Sequence, residues 1–323
     1  MSIPAVLVVG PHKPGVVDGL LGRADIHVTK SSQEKLGFPA EVQERIEVIV
    51  VTSVTQKISA DFMRGFPRLK LVSTFGVGYD HIDTDWAVAN GIDVTNTPDV
   101  LTEEVADTAL GLLLNTVREF CKAENYLRSG GWRSAPFPLS RSSLRDRSVG
   151  IVGLGRIGLA IARRVSAFGI PVSYHSRSPK PEVPYTFFPS VMELASHTDT
   201  LILAVPGGQE TEKLIGSAVL DKLGPKGILI NIARGSAVDE PALISALQEG
   251  RIAGAGLDVY STEPNIPAAF LELDNVVLFP HIGTRSAYTH GAMDQLLVDN
   301  VLAYAAGKPL LTPVSGKSQP NAP

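Results

Sequence analysis

The sequence predicts an α/β protein built as two doubly wound parallel-sheet domains. Three observations carry that prediction. Short apolar runs alternate with amphipathic stretches along the chain, the mark of repeated βαβ units. The run at residues 149–152 is followed at once by Gly153, Gly155 and Gly158, then by a helical pattern and a second apolar run at 170–174. Finally, 323 residues, 44% of them hydrophobic, suffice for two domains of ordinary size.

In order, residues 5–9, 48–51, 69–73 and 92–95 read as strands, with helices over 40–45 and 61–66 between them. The stretch Thr74-Phe75-Gly76-Val77-Gly78-Tyr79-Asp80-His81 follows a strand directly. Gly76 and Gly78 would let a loop offer backbone N–H groups at the carboxyl end of the sheet, where open α/β sheets place ligands. A simple turn fits them equally. From Leu101 the pattern turns helical. Thr102 with Glu103 and Glu104 makes a credible start, and Val105, Ala109, Leu112, Leu113 and Val117 supply an apolar stripe. One helix is expected from there to about Ser129, linking the domains and offering apolar surface to a second subunit. Residues 131–147, with Trp132, Pro136 and Pro138, read as an irregular basic segment.

The strand, glycine turn, helix and strand at 148–178 form a dinucleotide-binding fingerprint. Its glycines serve a tight turn, close approach of backbone to a pyrophosphate, and close helix–strand packing. The helix N-terminus adds free N–H groups and partial positive charge. NAD sites usually carry an acid about 20 residues further on, for the ribose 2′-hydroxyl. Here that place holds His175, Ser176, Arg177 and Ser178, with no carboxylate. A carboxylate would repel a 2′-phosphate, whereas Arg177 offers a charged fork suited to one, so NADPH is favoured and NADH remains possible. The bland alternative makes Arg177 a solvated cation.

Strands at 201–205, 228–232, 253–259 and 276–279, with helices at 210–223 and 240–249, complete a sheet of about six strands. A last helix over 286–306 is expected to return to the first domain, which then comprises 1–99 plus 286–323. The dinucleotide domain takes 100–285. The tail at 315–323 is expected to fray.

Net charge of −4 and the lack of a long basic run argue against nucleic acid and anionic membranes as partners. A single cysteine, Cys121, excludes an intrachain disulfide and suits a reducing cytoplasm, and its helical, leucine-rich setting predicts a buried structural thiol. The N-terminus lacks a basic n-region, and no charge-free apolar stretch is long enough to span a membrane. A cytoplasmic protein is expected, with no metal site.

Reduction of a keto acid by hydride transfer needs a cation for the carboxylate and a tuned acid for the carbonyl oxygen. Three residues of complementary type follow predicted strands: Arg234 after Ile232-Ala233, Glu263 in Tyr260-Ser261-Thr262-Glu263-Pro264, and His281 after Phe279-Pro280. Singly, each reads as a surface cation, a turn residue or a structural histidine. Together they read as a site, in which a carboxylate beside His281 would favour its imidazolium form.

These segments resemble the D-isomer-specific 2-hydroxyacid dehydrogenases. The matching pieces are GLGRIG at 153–158, NIARGSAVDE at 231–240, GAGLDVYSTEP at 254–264 and PHIG at 280–283, in the family's order and spacing. TFGVGYDHID and NTPDVLTEEVADTALGLLL are most similar to the glyoxylate/hydroxypyruvate reductases and hydroxyphenylpyruvate reductases. The resemblance implies a Rossmann-type cofactor domain, a flavodoxin-like substrate domain and a cleft between them that closes on the substrate. It implies that Arg234 binds the substrate carboxylate and carbonyl, that His281 protonates the carbonyl oxygen with Glu263 paired to it, and that the Val77 and Gly78 amides hold the carboxylate. Asp258 would contact the nicotinamide carboxamide, and Arg156 and Ile157 would flank the pyrophosphate. Val205, Pro206, Ala233 and Gly283 would line the cofactor, and Ser176-Arg177 matches the NADPH-using branch. A two-fold homodimer is implied as well.

Two places depart from the family pattern. Pro206-Gly207-Gly208 stands where many members have Pro-Leu-Thr, and Thr284-Arg285 where relatives have Ser-Ala or Ser-Gly. Arg285 would reach a polar or acidic substrate end or serve as a surface cation. The expected reaction is NADPH-dependent reduction of hydroxypyruvate or glyoxylate to the D-hydroxy acid. An aryl pyruvate is the variant, with Trp132 or Phe75 as ring contacts, core or subunit-contact residues. Glu263 argues against a formate dehydrogenase, and the expected lack of a regulatory domain after residue 323 argues against a long-type phosphoglycerate dehydrogenase. A cofactor-sensing binding protein on the same scaffold would have no need of the His281 acid.

Overall fold

The computed structural model describes residues 3–32, 38–140 and 142–314. Along the chain, β1 (Ala5–Val9) is apolar and wholly buried, α1 (Pro14–Leu20) starts on a proline, and β2 (Asp25–Thr29) is a half-exposed edge. Then come α2 (Ala40–Gln43), β3 (Ile46–Val51), α3 (Ala60–Met63), β4 (Leu71–Thr74), α4 (Thr84–Ala89) and β5 (Asp93–Thr95). Side chains cap the short helices, Ser59 accepting from the Phe62 amide and Asp83 from that of Trp86.

The long helix expected from Leu101 to Ser129 is two helices. α5 (Thr102–Arg118) stops where Glu119 takes a left-handed φ of 54°, and α6 (Phe120–Arg128) starts afresh. Cys121 is exposed rather than buried, its Sγ donating to Asn115 Oδ1 at 3.0 Å, because no residue of α6 reaches a core. After two 3₁₀ turns come β6 (Val149–Val152), α7 (Arg156–Ala167), β7 (Val172–His175), β8 (Thr186–Phe188), α8 (Val191–His197) and β9 (Thr200–Leu203). The helix expected over 210–223 is confined to α9 (Ser217–Leu223), because Lys213 at φ 49° breaks the segment before it. β10 (Ile228–Asn231), α10 (Glu240–Gln248), β11 (Gly254–Leu257), α11 (Ala268–Leu271) and β12 (Val276–Leu278) follow, and the last described elements are α12 (Ala287–Ala305) and β13 (Pro313–Val314). The expected frayed tail, 315–323, lies outside the described residues.

The chain divides into two compact units, one running to Leu101 and resuming at Ser286, the other spanning Thr102–Arg285. Among the described residues, the first unit holds a six-stranded sheet ordered β13-β5-β4-β3-β1-β2. Its five parallel strands carry the flavodoxin-like order, and β13 pairs antiparallel with β5. The second holds a seven-stranded parallel sheet, β12-β11-β10-β9-β6-β7-β8, one strand more than expected because β8 extends the edge. That is the doubly wound nucleotide-binding order with its switch point between β6 and β9. Each unit buries its own core, with Leu7, Ile49 and Phe62 in the first and Leu203, Leu229 and Leu243 in the second. Among the described residues no helix is long and apolar enough to cross a membrane.

Candidate active site

The second unit brings its predicted residues to the carboxyl ends of its strands. At β6, Gly153 has a φ of +95°, and a Cβ on it would lie 2.6 Å from the Ala204 carbonyl oxygen. A Cβ on Gly158 would overlap the Gly153 carbonyl, so α7 and β6 meet backbone to backbone. Gly155, the N-cap of α7, is different: a Cβ there meets nothing within 4 Å. The first and third glycines are required by the protein itself. The second leaves open room at the N-terminus of a twelve-residue helix, which fits a pyrophosphate approaching the backbone. Arg156 and Ile157 open that helix.

Ser176, Arg177 and Ser178 leave the end of β7, with Arg177 and Ser178 exposed and Ser176 Oγ donating to the Ser178 carbonyl at 2.6 Å. Val205 and Pro206 follow β9, Ala233 follows β10, Asp258 follows β11 and Gly283 lies past β12. The residues expected to line a dinucleotide therefore share one edge of one sheet. The unusual Pro206-Gly207-Gly208 loop has its own closure, Thr211 Oγ1 donating to the Pro206 carbonyl at 2.8 Å.

The expected His281–Glu263 pair is formed. His281 Nδ1 lies 2.7 Å from Glu263 Oε2, and the Tyr260 amide donates to Glu263 Oε1 at 2.9 Å. Burial pushes the Glu263 carboxyl up. The His281 hydrogen bond and charge, the Tyr260 amide and the Arg234 charge outweigh it and hold the group below its ordinary value of 4.5. His281 adopts a left-handed φ of 53°, a conformation that needs support from its surroundings. Asp258 supplies it: its carbonyl accepts from the His281 amide at 2.9 Å, and its carboxylate accepts from the Ile282 and Gly283 amides at 2.7 and 2.8 Å. Burial raises the Asp258 carboxyl above its usual range, against the pull of those two amides.

Arg234 caps the 3₁₀ turn after β10 and is half-buried, its Nη1 donating to the Ala233 carbonyl at 2.8 Å. Several residues that shape this site were not singled out in the sequence. The Asn231 side chain accepts from the Ala233 amide at 3.0 Å and donates to the Arg234 carbonyl at 2.9 Å, closing the turn that presents Arg234. A Cβ on Gly235 would overlap the backbone of Tyr260 and Ser261, so the Arg234 turn lies directly on the Glu263 loop. Buried Glu240 accepts from the Ser261 amide at 2.8 Å, and the Tyr260 hydroxyl donates to the Phe279 carbonyl at 2.9 Å, tying that loop to the strand before His281. Asn231 had a signal, since asparagine at a strand end makes such turns. Glu240 and Tyr260 act on backbone and had none. Arg285 is exposed, its amide donating to the Ile282 carbonyl at 2.8 Å.

In the first unit, Val77 and Gly78 are half-buried on the loop after β4. Gly76 has a φ of +129°, its amide donates to Thr97 Oγ1 at 2.9 Å, and Asn96 Nδ2 donates to the Val77 carbonyl at 2.8 Å. The loop is thus a clamped structure.

Residues 110–283 match the NAD-binding domain of the D-isomer specific 2-hydroxyacid dehydrogenases. Over 277 residues, 86% of this chain and 88% of the other, the sequence is 48% identical to a hydroxyphenylpyruvate reductase of Plectranthus scutellarioides. It is also 48% identical over 265 residues, 82% of this chain and 84% of the other, to a glyoxylate/hydroxypyruvate reductase of Arabidopsis thaliana. Among solved structures, an NADPH-dependent glyoxylate/hydroxypyruvate reductase of Sinorhizobium meliloti, in complex with NADP and malonate, superposes with a TM-score of 0.94. Identity there is 48%, covering 97% of each chain.

Proposed function

The chain belongs to the D-isomer-specific 2-hydroxyacid dehydrogenase family, and from that premise we propose that it uses NADPH to reduce hydroxypyruvate and glyoxylate, giving the D-hydroxy acid where the product is chiral. The observation that carries this reading is the 2.7 Å His281–Glu263 pair on the same sheet edge as the glycine turn and an acid-free Ser176-Arg177-Ser178 loop.

When bound, the nicotinamide supplies the hydride. Arg234 holds the substrate carboxylate and polarises the carbonyl with its planar fork of donors. His281, with Nδ1 committed to Glu263, delivers the proton to the carbonyl oxygen from Nε2, and Glu263 stabilises the imidazolium before transfer. Asp258 keeps His281 in its uncommon backbone conformation, and its remaining lone pairs can accept from a carboxamide. Ser176 and Arg177 take the 2′-phosphate, while the open side of Gly155 with the Arg156 and Ile157 amides takes the pyrophosphate. Val205, Pro206, Ala233 and Gly283 line the cofactor. In the first unit, the Val77 and Gly78 amides are assigned to the substrate carboxylate, on the clamped loop that carries them.

The same proposal includes a homodimer and a cytoplasmic location. α6 has no buried residue, and Phe120, Leu127, Trp132 and Leu139 are exposed in and after it, apolar surface that suits a second copy. The deciding assay compares NADPH with NADH on glyoxylate, hydroxypyruvate and 4-hydroxyphenylpyruvate. Preference for NADPH with the small acids is the expected result. Highest kcat/KM on the aryl acid would move the substrate to the alternative that the Plectranthus relative represents, and turnover with NADH alone would overturn the cofactor assignment.

A further inference from the structure

The loop leaving β7 is anchored from inside the sheet. Tyr174 is 1% exposed, lies in register with Ile151 of β6 and Phe187 of β8, and packs its ring 5.5 Å from that of Phe187. Its hydroxyl accepts from the Lys180 amide at 2.7 Å and donates to the Lys180 carbonyl at 3.4 Å. Lys180 stands between Pro179 and Pro181, neither of which has an N–H, so its amide is the one backbone donor in that tripeptide. The arch from Ser176 to Lys180 is therefore fixed at one end by the sheet and at the other by a single buried hydroxyl. The Ser176–Ser178 hydrogen bond at 2.6 Å tightens its crown, where Arg177 is exposed.

We propose that Tyr174 is a positioning residue for the adenosine 2′-phosphate, its hydroxyl holding the arch in the form that presents Ser176 and Arg177 together. This rests on the reading that those two residues take the phosphate. A preorganised arch loses less freedom when an anion binds beside Arg177 and the Ser176 hydroxyl turns its proton from the Ser178 carbonyl to the phosphate, whereas a 2′-hydroxyl calls on it far less. The hydroxyl thus acts on the choice between NADPH and NADH and not on the chemistry at His281.

Tyr174→Phe keeps the ring in its packing and removes only the hydroxyl. The expected result is a rise of about three- to tenfold in KM for NADPH, as the hydroxyl's two hydrogen bonds to Lys180 are lost, with kcat and KM for NADH unchanged. An unchanged KM for NADPH, or a parallel rise for both cofactors, overturns the proposal, since general loosening of β7 affects both alike. Arg177→Ala measured alongside separates the two layers. If it lowers the NADPH preference and Tyr174→Phe does not, the role of Tyr174 falls alone. If Arg177→Ala leaves the preference intact, the phosphate reading falls and the proposal with it.

Discussion

Glu263 keeps its charge although it is largely buried, and the reason is local: His281, the Tyr260 amide and Arg234 together outweigh desolvation. Two consequences follow for Glu263→Gln. Without the carboxylate His281 loses the 2.7 Å contact that orients its ring, so kcat/KM at neutral pH should fall. That fall should be smaller than the roughly 10²- to 10⁴-fold expected for His281→Ala, which deletes the proposed acid itself. The second consequence concerns stability. A carboxyl whose folded value is depressed adds stability above its unfolded value and loses it as pH falls through the folded one. The wild type should therefore melt above Glu263→Gln near neutral pH, and the two melting temperatures should converge below about pH 4.5, the ordinary value of the group. A gap that persists in acid would mean the variant is destabilised by packing and not by charge.

The glycine turn separates structural from ligand-directed demands within one element. A Cβ on Gly158 runs into the Gly153 carbonyl, so Gly158→Ala should force α7 away from β6 and lower stability by about 1–3 kcal/mol, read as a fall in melting temperature. Gly155 has an ordinary negative φ of −78° and free space beside it, so Gly155→Ala should melt within about 0.5 kcal/mol of wild type. Its KM for NADPH should still rise, because the methyl group takes the room proposed for the pyrophosphate. Loss of stability without loss of cofactor affinity in Gly155→Ala would refute this division. The same contrast explains what could be read in the sequence. Gly153, Gly158 and Gly155 were legible because a strand precedes them and a helix follows, and Arg234, Glu263 and His281 because each comes after an apolar run. β2 and β8 are edge strands with mixed burial, so they lack the continuous apolar run that betrayed the central strands. α1 was hidden by Gly15 and Gly19, poor helix formers that are there because α12 packs close: a Cβ on them would lie 2.5 Å from Asp294 Oδ2 and 2.8 Å from Val298 Cγ2. The break between α5 and α6 depends on one backbone angle at Glu119, a residue that is no helix breaker by type.

For the whole chain, the architecture of each unit was legible because alternating βα patterns admit few topologies, and the closing helix had only the first sheet left to join. Glu240 and Tyr260 were not, since they bind backbone that only folding brings to them, 21 and 19 residues away in the chain. The proposed self-association rests on a further kind of observation, exposed apolar side chains in and after α6. Leu127 is 55% exposed, Trp132 68% and Leu139 94%, while the Tyr126 hydroxyl donates to the Ala135 carbonyl at 2.9 Å and holds this segment in shape. Ordered apolar side chains of this size in water favour a partner, and an isologous contact of a stable dimer buries about 1,200–2,000 Å² in total. Leu127→Glu places a charge where a second copy would desolvate it, with little strain on a side chain already exposed. Light scattering coupled to gel filtration should give a dimer for the wild type and a shift to monomer for Leu127→Glu, with the monomer's melting temperature dependent on pH as before. A wild-type chain that elutes as a monomer at micromolar concentration would remove the dimer and leave this patch to a different partner.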